Sequence, residues 1–140
     1  MPPRYVLDAS ASVDILQRTT EGEALVPTLR SGDQASLWTV EHFHVEVAKV
    51  IRRDTLRGIV TDEQATQLVV TLAAWPLEVV PVAPLLEEAW TLRNNLTVHD
   101  ALYVVLTRHL PEGTLVSPDG NLANAPGIGV PVITPDQLKR

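Results

Sequence analysis

Thr97-Val98-His99-Asp100-Ala101-Leu102-Tyr103-Val104-Val105-Leu106 decides how the rest of the chain must be arranged. From Ala101 to Leu106 every side chain is apolar or aromatic. A helix here is therefore apolar nearly all the way round and belongs inside a core. Its first turn nevertheless carries a carboxylate, Asp100, and no Lys or Arg follows before Arg108. An ionised carboxylate is costly to bury unless it is hydrogen-bonded, paired through the fold or bound to a cation. The positive end of the helix dipole helps to keep it charged. A plain N-terminal capping acid is the competing reading.

Outward from this helix, short apolar strands alternate with amphipathic helices. Residues 4–7 read as a strand ending at Asp8, with Ser10 as the N-cap of a first helix through Ala11, Val13, Ile15 and Leu16. Residues 23–30 read as a second helix, interrupted by Pro27, and residues 35–38 as a strand. Val40, Phe43, His44, Val47, Ala48 and Ile51 recur at helical spacing, and Gly58 supplies the stop. Thr61 and Gln64 form a capping pair for a helix reaching Trp75. Strands are expected at 77–82, 114–116 and 130–133, a helix at 84–94 and a single helical turn at 121–125. Such alternation predicts a three-layer α/β/α sandwich around a mainly parallel sheet, with ligands at the carboxyl edge of that sheet. The expectation is a single domain over residues 1–140.

Composition narrows the classes of function. Hydrophobic residues make up 45% of the 140 residues, and no apolar run approaches the ~18 needed to span a bilayer. The first residues lack the apolar stretch of a secretory signal, and there is no cysteine for a disulfide, a zinc–thiolate site or a thiol nucleophile. A cytoplasmic protein without membrane contact is expected. The net charge of −6 argues against a surface that coats nucleic acid. It leaves room for an enzyme that reaches phosphate through bound cations.

The predicted architecture brings the acids to one edge. Asp8 ends the first strand, Asp119 follows the strand at 114–116, Asp100 opens its helix, and Glu46 borders the apolar stripe of the helix after the second strand. Each has a bland alternative: Asp8 as a cap, Glu46 as a solvated acid beside Lys49 or Arg53, Asp119 as a turn residue in Pro118-Asp119-Gly120. Gathered together, the acids are another matter, since two carboxylates ~5 Å apart repel by about 3 kcal/mol at an effective dielectric near 20. Protons or a cation must relieve several such pairs, and oxygen ligands without cysteine favour Mg²⁺ or Mn²⁺.

Val6-Leu7-Asp8-Ala9-Ser10, Val45-Glu46-Val47-Ala48 with Ile51-Arg52-Arg53, Val98-His99-Asp100-Ala101-Leu102-Tyr103 and Leu115-Val116-Ser117-Pro118-Asp119 resemble, in this order, the motif series of the PIN-domain family. The resemblance spans nearly the whole chain and is strongest to the VapC-like toxin ribonucleases of toxin–antitoxin pairs. It implies a Mg²⁺- or Mn²⁺-dependent endoribonuclease with Asp8, Glu46, Asp100 and Asp119 as catalytic, metal-binding acids. Asp8 and Asp100 would be the principal ligands, with Ser10 and Ser117 as supporting hydroxyls. It also implies an RNA substrate, a homodimer and a cognate antitoxin that covers the acidic groove. Gly120 departs from the pattern, since many relatives carry a basic residue there.

Lys49, Arg52, Arg53, Arg57 and Arg93 are candidate RNA-backbone contacts, or else ordinary solvated helix charges. His42 and His44, two apart on a helix, do not face each other and make a poor zinc pair. His99 reads as a local packing or hydrogen-bonding residue, with support of Asp100 as the alternative. Trp38, Trp75 and Trp90 read as core anchors. Two other classes compete: a non-catalytic PIN-like module whose acidic pocket receives a basic segment, and a receiver-like phospho-acceptor. The latter needs a Lys after a late strand, and none follows Val116 or Ile133 closely.

Overall fold

The computed structural model describes residues 3–20, 22–24, 26, 36–118 and 120–135, leaving aside the side chain at 121. Strand β1 (Arg4–Leu7) is followed by α1 (Ala9–Leu16), β2 (Ser36–Val40), α2 (Phe43–Leu56), α3 (Asp62–Ala74) and β3 (Glu78–Val80). Then come α4 (Ala83–Trp90), α5 (Val98–His109), β4 (Gly113–Val116), α6 (Gly120–Ala123) and β5 (Val132–Ile133). The strands lie in the order β3-β2-β1-β4-β5, and every pairing is parallel. Helices α1, α2 and α3 pack in succession, while α4 packs on α5. The arrangement is the expected α/β/α sandwich. No helix among the described residues is long and apolar enough to cross a membrane.

The core follows from the opening stretch. Residues Ala101 to Thr107 of α5 are all buried, and the helix lies against β1, β2 and β4. Val6, Leu7, Val40, Leu115 and Val116 of the sheet have essentially no exposure, and successive strand residues fill its two opposite faces. Burying one such side chain contributes about 1.5–3 kcal/mol. The turn from α5 into β4 needs Gly113, where a Cβ would stand 2.6 Å from the Thr107 carbonyl oxygen.

Several expected boundaries move. Val40 closes β2 instead of opening a helix, because it pairs with Val80 of β3. The strand expected at 77–82 contracts to Glu78–Val80, and the helix at 84–94 ends at Trp90, followed by turns to Asn95. The last strand begins at Val132, since Pro131 has no N–H to give. Ser10 is not the cap of α1: Asp8 is. Trp90 is not a core anchor, being 56% exposed, whereas Trp38 and Trp75 do pack against the core. In the helix expected over 23–30, residues 23, 24 and 26 are helical; 25 and 27–30 lie outside the described residues, as does Ala35.

The caps explain why α2 and α3 stop and start where they do. Gly58, at φ +74°, ends α2, and Ile59 N–H donates back to the Asp54 carbonyl at 2.9 Å. Thr61 and Gln64 satisfy each other's backbone N–H at 3.1 and 2.9 Å. Asp54 is buried and receives Gln17 Nε2 at 3.1 Å and the Arg53 guanidinium at 3.3 Å, which ties α2 to the end of α1. The Gln17 hydrogen bond holds the Asp54 carboxyl below its usual range; burial opposes this, and Arg53 and Arg57 add to it. A depressed native pKa stabilises the fold above the ordinary carboxylate value of 3.8 and loses that contribution as pH falls through the native value. Asp54→Asn is therefore expected to flatten the acid limb of stability below about pH 4, measured by denaturant unfolding at several pH values. An unchanged acid limb contradicts the assignment.

Candidate active site

The chain leaves β1 towards β2 and β3 on one side, then returns to β4 and β5 on the other. The switch falls between β1 and β4, and in open α/β sheets ligands bind outside the carboxyl ends of the strands at such a point. Asp8 stands at the end of β1, 3% exposed, where its Oδ1 accepts the Ala11 N–H at 2.8 Å. Its own N–H reaches the Val116 carbonyl of β4 at 3.4 Å, and its carbonyl accepts the Ser12 hydroxyl at 2.9 Å. The buried Thr39 hydroxyl donates to the neighbouring Leu7 carbonyl at 3.0 Å. Ser117 is fully buried at the end of β4, while Ser10 is exposed.

Asp100 enters from the first turn of α5, where the Thr97 hydroxyl accepts its N–H at 3.2 Å. Glu46 enters from the first turn of α2. Both helix N-termini face the same edge because each helix returns along the parallel sheet. Glu46 faces Tyr103, His42 and His99, not Lys49 or Arg53. Its Oε1 accepts the Tyr103 hydroxyl at 3.2 Å and lies 2.8 Å from His42 Nε2, while Oε2 lies 3.7 Å from His99 Nδ1. The His42 contact has the length of an ion pair but misses hydrogen-bond geometry, and His42 Nδ1 has no hydrogen-bond partner among the described residues. Burial works against the Glu46 charge, but His42, the charge of His99 and the Tyr103 hydroxyl outweigh it, so its pKa falls below the ordinary carboxylate value.

Tyr103 reports how the acids are grouped. Its ring is 1% exposed. Burial pushes its hydroxyl pKa far up, and the negative charges of Glu46, Asp8 and Asp100 push it further. Tyr103 is thus a permanent donor to Glu46, and three of the four expected acids bear on one phenol. Asp119 lies outside the described residues.

Carboxylate oxygens without sulfur are the kind of donor a hard divalent cation prefers. Among the described residues no three His, Asp or Glu side chains are already close enough to grip one ion. A hollow of about 590 Å³ lined by Ile15, Leu16, Leu37, Leu68 and Trp75 lies apart from these acids.

The contacts of His42 and Tyr103 with Glu46 were not expected from the sequence, where His42 was paired only with His44. The signal was present, since His42 and Glu46 are four apart and so share a helix face. His99 makes contact with Glu46 instead of merely packing locally.

Fold and site together define a PIN-like α/β/α protein with acids at the switch point of a parallel sheet. The same fold is seen in the crystal structure of PAE2754 from Pyrobaculum aerophilum, with a TM-score of 0.68 at 20% identity over 99% of this chain and 88% of that one. It recurs in Mycobacterium tuberculosis VapC20, a Sarcin-Ricin loop cleaving toxin, with a TM-score of 0.64 at 17% identity over 85% and 92% of the two chains. The chain belongs to the VapC ribonuclease family: it is 34% identical to Ribonuclease VapC12 of Mycobacterium tuberculosis over 122 residues, 87% of this chain and 92% of that protein. Ribonuclease VapC1 of the same organism is 35% identical over 125 residues, 88% and 91% of the two chains. No protein-family profile matches the chain.

Proposed function

We propose that this protein is a cytoplasmic toxin endoribonuclease that hydrolyses RNA phosphodiester bonds with Mg²⁺ or Mn²⁺, restrained by a cognate antitoxin. The observation that carries the reading is the placement of Asp8 at the end of β1 and of Glu46 and Asp100 in the first turns of α2 and α5, all at the carboxyl edge, with the Tyr103 hydroxyl donating to Glu46. Membership of a ribonuclease family supports it.

Asp8 and Asp100 would hold the cation, each on a backbone already fixed by its helix start. Glu46 would present Oε2, since Oε1 is engaged by Tyr103 and His42. Asp119, two residues after buried Ser117 in the chain, is proposed as the fourth acid. Bound there, a divalent ion would supply an activated water and neutralise charge on the phosphate. The protein's part would be to orient the acids, through the helix starts that fix Asp8 and Asp100 and the Tyr103 hydroxyl that donates to Glu46. A basic antitoxin side chain is the partner such a corner would receive. A homodimer belongs to the same reading, with exposed Leu56, Val69 and Val70 on the groove between α2 and α3 as an apolar face for it.

Chelation is the direct test. Purified protein incubated with total RNA is expected to release fragments bearing 5′-phosphates, read by end sequencing. EDTA should stop the release, and excess Mg²⁺ or Mn²⁺ should restore it. Cleavage that persists through chelation overturns the metal assignment. Absence of metal binding in calorimetry at millimolar concentration, with no cleavage, moves the chain to the non-catalytic module.

A further inference from the structure

Three rings form a ladder from the core to the surface beside the acids. Tyr103 is 1% exposed; the side chain of His42 is 16% exposed and that of His99 61%. The Tyr103 and His42 centroids are 4.9 Å apart, and the two imidazoles stack at 5.1 Å and 27°. Tyr103 is held by the packed helix α5 and by Glu46, so the ladder has a rigid foot. Its outermost ring precedes Asp100 in the chain and lies 3.7 Å from Glu46.

We propose that His99 is a substrate-binding residue whose exposed ring face stacks on a nucleobase next to the scissile phosphate. This deepens the ribonuclease reading and rests on it. An aromatic ring stacks any base, and RNA bases splayed from loops offer their faces for it. A flexible surface ring loses much of that gain to ordering; His99 is already ordered by its stack on His42. Charge selects the same ligand part. The acids repel phosphates that no cation shields, whereas a neutral base meets no such penalty. The competing role for His99 is a polar contact to Glu46 through Nδ1.

Two substitutions separate these roles. His99→Phe keeps the ring and removes both nitrogens; His99→Gln keeps a polar group and removes the ring. The probe is a stem-loop oligoribonucleotide carrying the mapped cleavage site, made intact and with an abasic nucleotide on either side of the cut bond. On intact RNA, His99→Phe is expected to keep its KM near wild type, and His99→Gln to raise it about tenfold. On the abasic RNA that lacks the stacked base, wild type should fall to the level of His99→Gln, and His99→Gln should lose nothing more. Fluorescence anisotropy of the same RNA on Asp8→Asn protein, with and without each substitution, should give Kd in the same order without turnover. Equal losses for Phe and Gln, a loss only for Phe, or no loss for Gln overturns the platform while RNA is still cut. If wild type cuts no RNA, the ribonuclease reading falls and the platform with it.

Discussion

Asp8→Asn is expected to lower RNA cleavage by at least about two to three orders of magnitude while the protein stays folded. The two halves of that expectation have separate causes. Asn is an N-cap as good as Asp, so the 2.8 Å bond from the Ala11 N–H can be kept and α1 keeps its start. What disappears is a negative charge in a site 3% exposed, where a divalent ion would draw most of its binding from carboxylates. Sequencing of 5′-phosphate RNA ends after expression of wild type and variant, with a melting curve of each, reads both halves. Wild-type cleavage by a folded Asp8→Asn protein would sink the catalytic assignment.

Tyr103→Ala and Tyr103→Phe are expected to fail in different ways. The ring of Tyr103 is among the largest fully buried side chains, so truncation to Ala should cost about 3–5 kcal/mol, a large part of a typical total of ~5–15. Phe fills the same space and loses only the hydroxyl's 3.2 Å bond to Glu46. Its stability should drop by about 1–2 kcal/mol at most. Cleavage should nevertheless fall by about 10- to 100-fold, as when a partner that orients a ligand is removed. Chemical denaturation measures the first quantity and initial cleavage rates the second. Should Phe cleave like wild type, the hydroxyl plays no part in orienting Glu46.

The parts of the fold that were legible share one property: each is set by neighbours in the chain. The apolar run at Ala101–Leu106 could only be a buried helix, and it is. Thr61 and Gln64 could close a capping box without help from elsewhere, and they do. The misreadings came where distant groups compete for a residue. Val40 fits a helical stripe as well as a strand, and its ladder with Val80 settled the matter. Ser10 and Asp8 are both good caps, but the end of β1 leaves Asp8 at the extended dihedrals a cap requires. Trp90 looked like core material until α4 turned its last residue outward.

By itself the sequence determined the alternation of strands and helices, the buried central helix that Asp100 opens, and the end of β1 at Asp8. These depend on periodicity and capping, which act over a few residues. Only the tertiary structure decided that His42, His99 and Tyr103 meet on Glu46, and that one ring of the three remains open to solvent. Those side chains come from the start of α2 and from α5, and Glu46 and Tyr103 are 57 positions apart in the chain. Contacts across such a separation depend on how α2 and α5 converge at the sheet's edge, and no local pattern encodes that convergence.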